Sequence, residues 1–270
     1  MVCTCRREIS GFWRPIFLAT SFEMIKRPAG WKVASKSGDV HIWEKTENGQ
    51  RMRQFRFGNR HELTINTVVA EEQNVVEDVY EGGFTVWHGS FHAISYFSTL
   101  TESDLNKLKG KRTIEIGCGN GILGIYALLY LNAFEVFFQD LNSEVLERCT
   151  QKNLKLNEIQ SQRKVKLIGG PWETCFDLIP MNIFSLILTS DTVYRTKHFA
   201  ILHRQFDYLL DHDPTSQIFV SGKNFYFGND GGILEFANFC RAEKKFSVTV
   251  VHQNDQQVPH TLLQLQRVSS

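Results

Sequence analysis

Apolar and polar positions change their spacing repeatedly from residue 111 to the end of the chain. Short apolar runs predict five buried strands, at 111–116, 134–140, 164–170, 184–190 and 216–222. Segments between and after them predict helices, at 121–133, 142–157, 198–210 and 232–242. Two final extended runs, 245–253 and 260–268, have no helix between them and must pair antiparallel. The pattern indicates an α/β fold with a Rossmann-like, mostly parallel seven-stranded sheet that ends in an antiparallel hairpin.

The first 70 residues follow a different pattern. Apolar and basic residues alternate in RMRQFRF at 51–57, and another extended run ends at Trp43. Between them, Asn48-Gly49 is typical of a tight hairpin turn, because both residues tolerate positive φ. We expect an N-terminal extension over 1–70, with a flexible start and a hairpin, ahead of one domain over 71–270. The basic strand is interpreted as a solvated face rather than a partner-binding face.

Composition narrows the class of protein. Of 270 residues, 42% are apolar and 22% charged, which is ordinary for a globular chain. A net charge of +1 gives no reason to expect nucleic-acid or membrane binding. The first residues lack the apolar stretch of a secretory signal. Six scattered cysteines predict a reduced cytoplasmic or nuclear protein, with Cys3 and Cys5 as ordinary thiols rather than metal ligands.

The strongest chemical signal is EIGCGNGILG at 115–124, which follows a predicted strand and opens a predicted helix. Gly117, Gly119 and Gly121 let the backbone turn tightly and approach a ligand. Gly119 to Gly124 also satisfies the dinucleotide fingerprint. Three features favour S-adenosylmethionine instead: Glu115 before the first glycine, the terminal antiparallel hairpin, and no sign of a nicotinamide-side catalytic pair. The dinucleotide enzyme remains an alternative.

Two further side chains are placed beside this loop by the pattern. Asp140 ends the second strand, where a carboxylate faces the ribose hydroxyls of a bound nucleoside; a helix N-terminal acid is the structural alternative. Trp172 follows the third strand, where an indole can flank an adenine, with a core tryptophan as the alternative.

Several segments, in order, resemble the histidine protein methyltransferase 1 homologues. These segments are VYEGGFTVWHGSFHAISYF at 79–97, EIGCGNGILGIYA, FFQDLNSEVL, LILTSDTVY and GKNFYFGNDGG at 222–232. The resemblance covers most of residues 76–267. It implies a class I methyltransferase fold, S-adenosylmethionine as cofactor, and transfer to a histidine ring nitrogen of a protein, which in that family belongs to a large-subunit ribosomal protein.

The resemblance also implies roles for individual residues. Glu81, Gly83 and Trp87 match a segment that covers the cofactor. The strand ends that bind the cofactor in that family are matched by Glu115, Gly117, Gly119 and Asp140. On the substrate side, Asp191 and Tyr194 match an acid-x-x-Tyr motif and are the expected catalytic residues. The loop that begins at Lys223 matches a loop near the active face.

Three departures from the family pattern keep alternatives open. His88 and His92 stand where the family has acids, and Asp191 where it usually has Glu. Asp-x-x-Tyr is also typical of the related family 16 lysine methyltransferases, so lysine remains a possible acceptor. His88 and His92 are four residues apart and would share a helix face as metal ligands, although two partly exposed imidazoles are the simpler interpretation. The same replacements favour a second alternative, a methyltransferase-like binding protein without turnover.

Overall fold

The computed structural model describes residues 30, 32–37, 40–57, 63–68, 76, 81–159, 164–177, 179–255 and 257–268. The predicted flexible start, with Cys3 and Cys5, lies outside these residues. None of the helices within the described part combines the length and apolar character that a membrane crossing requires.

The N-terminal region forms a four-stranded antiparallel sheet in sequential order. Its strands are β1 (Lys32–Ser37), β2 (Val40–Glu47), β3 (Gln50–Phe57) and β4 (Leu63–Val68). The predicted hairpin is β2–β3, and its turn has φ of 49° at Asn48 and 76° at Gly49. Strands β1 and β4 add a partner on either side of it, so the region is larger than the predicted hairpin.

The central sheet has seven strands in the order β10-β11-β9-β8-β5-β6-β7. They are β5 (Arg112–Ile116), β6 (Glu135–Asp140), β7 (Lys164–Gly169), β8 (Leu186–Ser190), β9 (Gln217–Lys223), β10 (Phe246–Gln253) and β11 (His260–Arg267). Strands β5 to β9 are parallel, whereas β11 pairs antiparallel with both β9 and β10. The predicted fold class is confirmed. β5 has β6 on one side and β8 on the other, so the order in which successive strands are added to the sheet reverses at β5. Ligands of α/β folds bind at this point.

The helices lie on both faces of this sheet. They are α1 (His88–Thr99), α2 (Glu102–Asn106), α3 (Ile122–Tyr130), α4 (Ser143–Val145), α5 (Gln151–Leu156), α6 (Phe199–Leu209) and α7 (Ile233–Glu243). A π-helical turn, Leu146–Thr150, joins α4 to α5, and a 3₁₀ turn, Thr196–His198, precedes α6. The predicted helix over 142–157 is therefore present but contains one wider turn.

The N-terminal sheet shares its hydrophobic core with α1 and α3. Phe55 and Phe57 on β3 lie 4.6 and 5.8 Å from the ring of Phe91 on α1. Asn153 Oδ1 on α5 accepts the backbone N–H of Val68 on β4 at 2.7 Å. The boundary predicted at residue 70 is thus crossed by a continuous core.

Candidate active site

A cavity of about 450 Å³ opens at the carboxyl ends of β5, β6 and β8. Its size is that of a small-molecule site. Every site residue predicted from the sequence lines it, with the exception of Glu115; those residues are Glu81, Gly83, Trp87, Gly117, Gly119, Asp140, Trp172, Asp191 and Tyr194. The fold therefore brings together residues that are more than 100 positions apart in the chain.

Asp140 holds the glycine loop in place. Its Oδ2 accepts the N–H of Gly119 at 2.8 Å, and its Oδ1 accepts the N–H of Asn142 at 3.1 Å. Burial raises the pKa of Asp140, while these N–H donors oppose the rise. Gly119 has a φ of 51°, and a Cβ there would lie 2.9 Å from the carbonyl oxygen of Gly83. A side chain at position 119 would therefore push apart the two backbone segments that form this wall.

Gln139, next to Asp140, was missed by the sequence analysis. Its fully buried Oε1 accepts the N–H of Gly117 at 3.1 Å and the indole N–H of Trp172 at 2.9 Å. Its Nε2 donates to the carbonyl of Gly170 at 2.8 Å. One amide thus fixes the glycine loop relative to Trp172. The available signal was the polar pair that follows the apolar residues 136–138 of this strand.

Glu115 lies beneath the loop and outside the cavity lining. Its carboxylate accepts the N–H of Gly124 at 2.8 Å and that of Leu123 at 3.2 Å, both in the first turn of α3. Burial raises the pKa of Glu115 to about 8. Its contacts are those of a helix N-terminal acceptor that holds the loop and α3 together.

Asp191 stands at the opposite end of the cavity with a left-handed backbone, φ 55°. This conformation costs a non-glycine residue about 1 kcal/mol and is a feature of functional sites. The carboxylate Oδ2 accepts the N–H of Gly89, in the first turn of α1, at 2.8 Å. A Cβ at Gly89 would lie 2.4 Å from that oxygen. The positive end of α1 therefore approaches the carboxylate through a position that only glycine allows.

Tyr226 supplies the second donor to Asp191; it belongs to the YFG run that the family resemblance placed near the active face, but no role was predicted for it. Its hydroxyl donates to Asp191 Oδ1 at 2.7 Å and accepts the N–H of Lys223 at 3.1 Å. Burial, followed by the charge of Asp191, raises the pKa of Tyr226 well above its ordinary value. The hydroxyl thus remains protonated and keeps donating. The Nζ of Lys223 lies 5.3 Å from the centroid of the Trp87 ring.

Tyr194 and Glu81 close one side of the cavity. The Tyr194 hydroxyl donates to Glu81 Oε2 at 2.6 Å. The Trp87 indole N–H donates to the carbonyl of Gly82 at 3.1 Å. These contacts hold the segment 81–87 in the cavity wall, and its role in covering a ligand stays a prediction.

The comparisons with known proteins agree with this geometry. A family model described as lysine methyltransferase matches residues 68–228. The chain belongs to this family.

Histidine protein methyltransferase 1 homologues are also similar to the chain. The homologue of Dictyostelium discoideum is 36% identical over 67% of this chain and 56% of its own length. For the Bos taurus homologue the identity is 28%, over 76% of this chain and 60% of the relative. The resemblance seen in the sequence is confirmed. The chain spans a little over half the length of these relatives.

A solved structure of a ribosomal protein L11 methylase from Lactobacillus delbrueckii subsp. bulgaricus is also similar in fold. Its TM-score is 0.47 at 18% identity, with 74% of this chain and 91% of that chain covered. This likeness is too distant to bear on function.

The lining residues suit the donor that the methyltransferase family and fold imply, S-adenosylmethionine. Gly117 and Gly119 line the cavity with backbone atoms alone. Asp140 retains lone pairs for ligand hydroxyls beyond its two backbone donors. Trp172 offers an indole ring to the same space. The family match also weighs against the dinucleotide alternative.

His88 and His92, the departures from the methyltransferase pattern, both lie on α1. His88 is exposed. His92 is only 6% exposed, so the interpretation of both as partly exposed imidazoles is wrong for His92. The reason is the C-terminal hairpin, which packs on α1 and stacks His252 on His92 at 4.6 Å between centroids. Within the described ranges, no group of three or more His, Cys, Asp or Glu side chains is arranged to hold a metal ion.

Proposed function

We propose that this chain transfers a methyl group from S-adenosylmethionine to a histidine ring nitrogen of a protein. The observation that carries the proposal is the buried Asp191 carboxylate, aimed at the cavity and fixed by Gly89 and Tyr226. When bound, the donor supplies a methyl group on a positively charged sulfur. The family resemblance points to a large-subunit ribosomal protein as the substrate.

At the donor end, the protein's task is binding and alignment. Asp140 accepts hydroxyl hydrogens of the nucleoside, and the bare backbone at Gly119 permits close contact. Gln139 keeps Trp172 and Gly117 at a fixed separation, so the walls are ordered before a ligand arrives. Such preorganisation lowers the entropy cost of alignment.

At the acceptor end, Asp191 orients a neutral imidazole. The reference pKa of histidine is about 6.5, so one ring nitrogen carries a lone pair near pH 7. Asp191 accepts the N–H of the other nitrogen, which selects the tautomer and stabilises the positive charge that develops on the ring. Each carboxylate oxygen has a lone pair left for this bond after Gly89 and Tyr226 are counted. Tyr194, tied to Glu81, forms the adjacent wall.

Lysine is the second candidate acceptor, because the matching family model is described as lysine methyltransferase. A lysine ammonium would also be attracted to Asp191. It must, however, lose a proton with a reference pKa of about 10.4 before it can react. The two acceptors therefore differ in how their rates depend on pH.

The deciding experiment uses ribosomes and soluble proteins from cells that lack this enzyme. They are incubated with isotopically labelled S-adenosylmethionine, and the modified residue is mapped by mass spectrometry. We expect label on histidine and a rate that is flat above about pH 7. Label on lysine, with a rate that climbs above pH 8, would refute the histidine acceptor. Donor binding without any label would favour the binding-protein alternative.

A further inference from the structure

The loop between β9 and α7, residues 224–232, carries two exposed aromatic rings beside the cavity. Phe227 is 81% exposed and Phe225 is 44% exposed. Their ring centroids are 5.2 Å apart, with the planes at 90°. The rings pack on each other edge to face while most of the Phe227 side chain remains in contact with water.

The residue between them points the opposite way. Tyr226 is half-buried, and its hydroxyl donates to Asp191 at 2.7 Å. Neighbouring Cα atoms are about 3.8 Å apart, so both exposed rings start within a few ångströms of a side chain that touches the acceptor end. The loop therefore presents its apolar surface next to the place where an acceptor residue must enter.

The same loop is fastened to the segment that carries Asp191 and Tyr194. Gly231 donates its N–H to the carbonyl of Tyr194 at 3.0 Å. Thr196 donates its N–H to Asp230 Oδ1 at 3.1 Å. Arg195 Nε donates to Asn229 Oδ1 at 3.2 Å. The exposed rings are consequently held in place, which reduces the entropy lost when a partner covers them.

We propose that Phe225 and Phe227 are a docking surface for the protein substrate, which places an apolar side chain on the two rings while its acceptor residue enters the cavity. This inference rests on the proposed function and identifies how the substrate is held. Buried aromatic anchors dominate the energetics of protein recognition.

The size of the surface favours a substrate over a second copy of this chain. Two phenylalanine side chains offer a few hundred Å² at most, whereas a stable interface needs about 800 Å² on each partner. A permanent partner on these rings would also cover the acceptor end, which Tyr226 connects to them. A brief contact with a substrate needs only a small area and leaves the acceptor end open between reactions.

The test compares wild type with the double variant Phe225→Ala/Phe227→Ala and with the control variant Phe134→Ala. Phe134 is 53% exposed and precedes β6, at the end of the parallel strands opposite to the cavity. Label transfer is measured at low concentrations of proteins from cells that lack the enzyme. It is also measured on a short peptide of one histidine between alanines, which is too small to reach the rings. Binding of S-adenosylhomocysteine is measured by calorimetry, and molecular mass by light scattering.

We expect transfer to proteins to fall at least tenfold in the double variant only. Peptide methylation, affinity for S-adenosylhomocysteine and molecular mass should match wild type. Equal transfer to proteins by all three forms would overturn the docking surface, as would a dimer that the double variant abolishes. Label on lysine would refute the proposed acceptor and leave the docking test valid. No label in any protein would overturn both proposals.

Discussion

The two ends of the cavity are built in different ways. At the donor end, Gly117 and Gly119 follow β5 and donate their N–H groups to Gln139 and Asp140 at the end of β6, the next strand along the chain. At the acceptor end, Asp191 meets Gly89 from 102 residues earlier and Tyr226 from 35 residues later. One strand-helix-strand unit, β5-α3-β6, supplies these contacts, whereas the acceptor end exists only when distant segments pack together. Variants should therefore separate binding from turnover.

The largest effect is expected from Asp191→Ala. The variant should lower kcat by about 10²- to 10⁴-fold, the usual range for loss of a positioned acid or base. Affinity for S-adenosylmethionine should stay within about twofold, because Asp191 lies at the other end. Asp191→Asn is the matched control for folding, since Asn tolerates the left-handed backbone and still accepts the Gly89 N–H. Steady-state kinetics and calorimetry provide the two readouts. An equal loss of donor affinity would show that the two ends are not separable.

A second test measures how acid affects the packing of His92, on α1, against His252 of the C-terminal hairpin. Burial, together with the charge of His252, lowers the pKa of His92 to about 4. The unfolded chain therefore binds more protons as pH falls below about 6.5, and stability that is present at neutral pH is lost between pH 6.5 and 4. The loss from this one group is at most about 3 kcal/mol.

The measurement is the free energy of unfolding in denaturant at several pH values. His92→Phe keeps a ring against His252 and should show a smaller loss in acid than wild type. The control His212→Gln changes an exposed histidine and should follow wild type. Part of the loss should persist in His92→Phe, because burial also lowers the pKa values of His252 and His260. Identical curves for wild type and His92→Phe would contradict the role given to His92.

Asp140→Ala should weaken donor binding more than turnover, the reverse of the effect of Asp191→Ala. Removing this carboxylate deletes the acceptor for ligand hydroxyls and leaves the Gly119 N–H without its partner. Hydrogen bonds to charged groups contribute about 1.5–3 kcal/mol, so donor affinity should fall roughly 10- to 100-fold. Turnover at saturating donor should change much less. The affinity for S-adenosylmethionine is measured by calorimetric titration, with Asp140→Asn as a control of similar shape. Unchanged affinity in Asp140→Ala would show that Asp140 is not part of the donor site.

The smallest effect is expected from Tyr226→Phe. Loss of one neutral donor to Asp191 should lower kcat about tenfold, which corresponds to roughly 1.4 kcal/mol. Donor affinity should not change, since Tyr226 does not line the cavity. Tyr208→Phe is a matched control, because that hydroxyl donates to the carbonyl of Ile179, away from the cavity. If Tyr226→Phe turned over like wild type, Gly89 alone would be sufficient to hold Asp191.

Features with a local signal in the sequence were predicted correctly. The five parallel strands, the terminal hairpin and the Asn48-Gly49 turn are confirmed, since each depends on periodicity or on turn chemistry over a few residues. Gln139 was missed because its partners, Gly117, Gly170 and Trp172, come from other segments, and the polar pair at the strand end does not by itself indicate them. The surface position predicted for His92 is wrong, since nothing near that residue in the chain indicates the hairpin that covers it.

The sequence by itself determined the α/β class, the glycine loop and the family, because these depend on short-range spacing and on motifs in a fixed order. Only the tertiary structure decided the environment of each functional side chain. It placed Glu115 beneath the loop, gave Asp191 its two donors and turned Phe225 and Phe227 outward. The physical reason is that burial and hydrogen-bond partners come from segments far apart in the chain, and these meet only when the sheet and its helices close around one core.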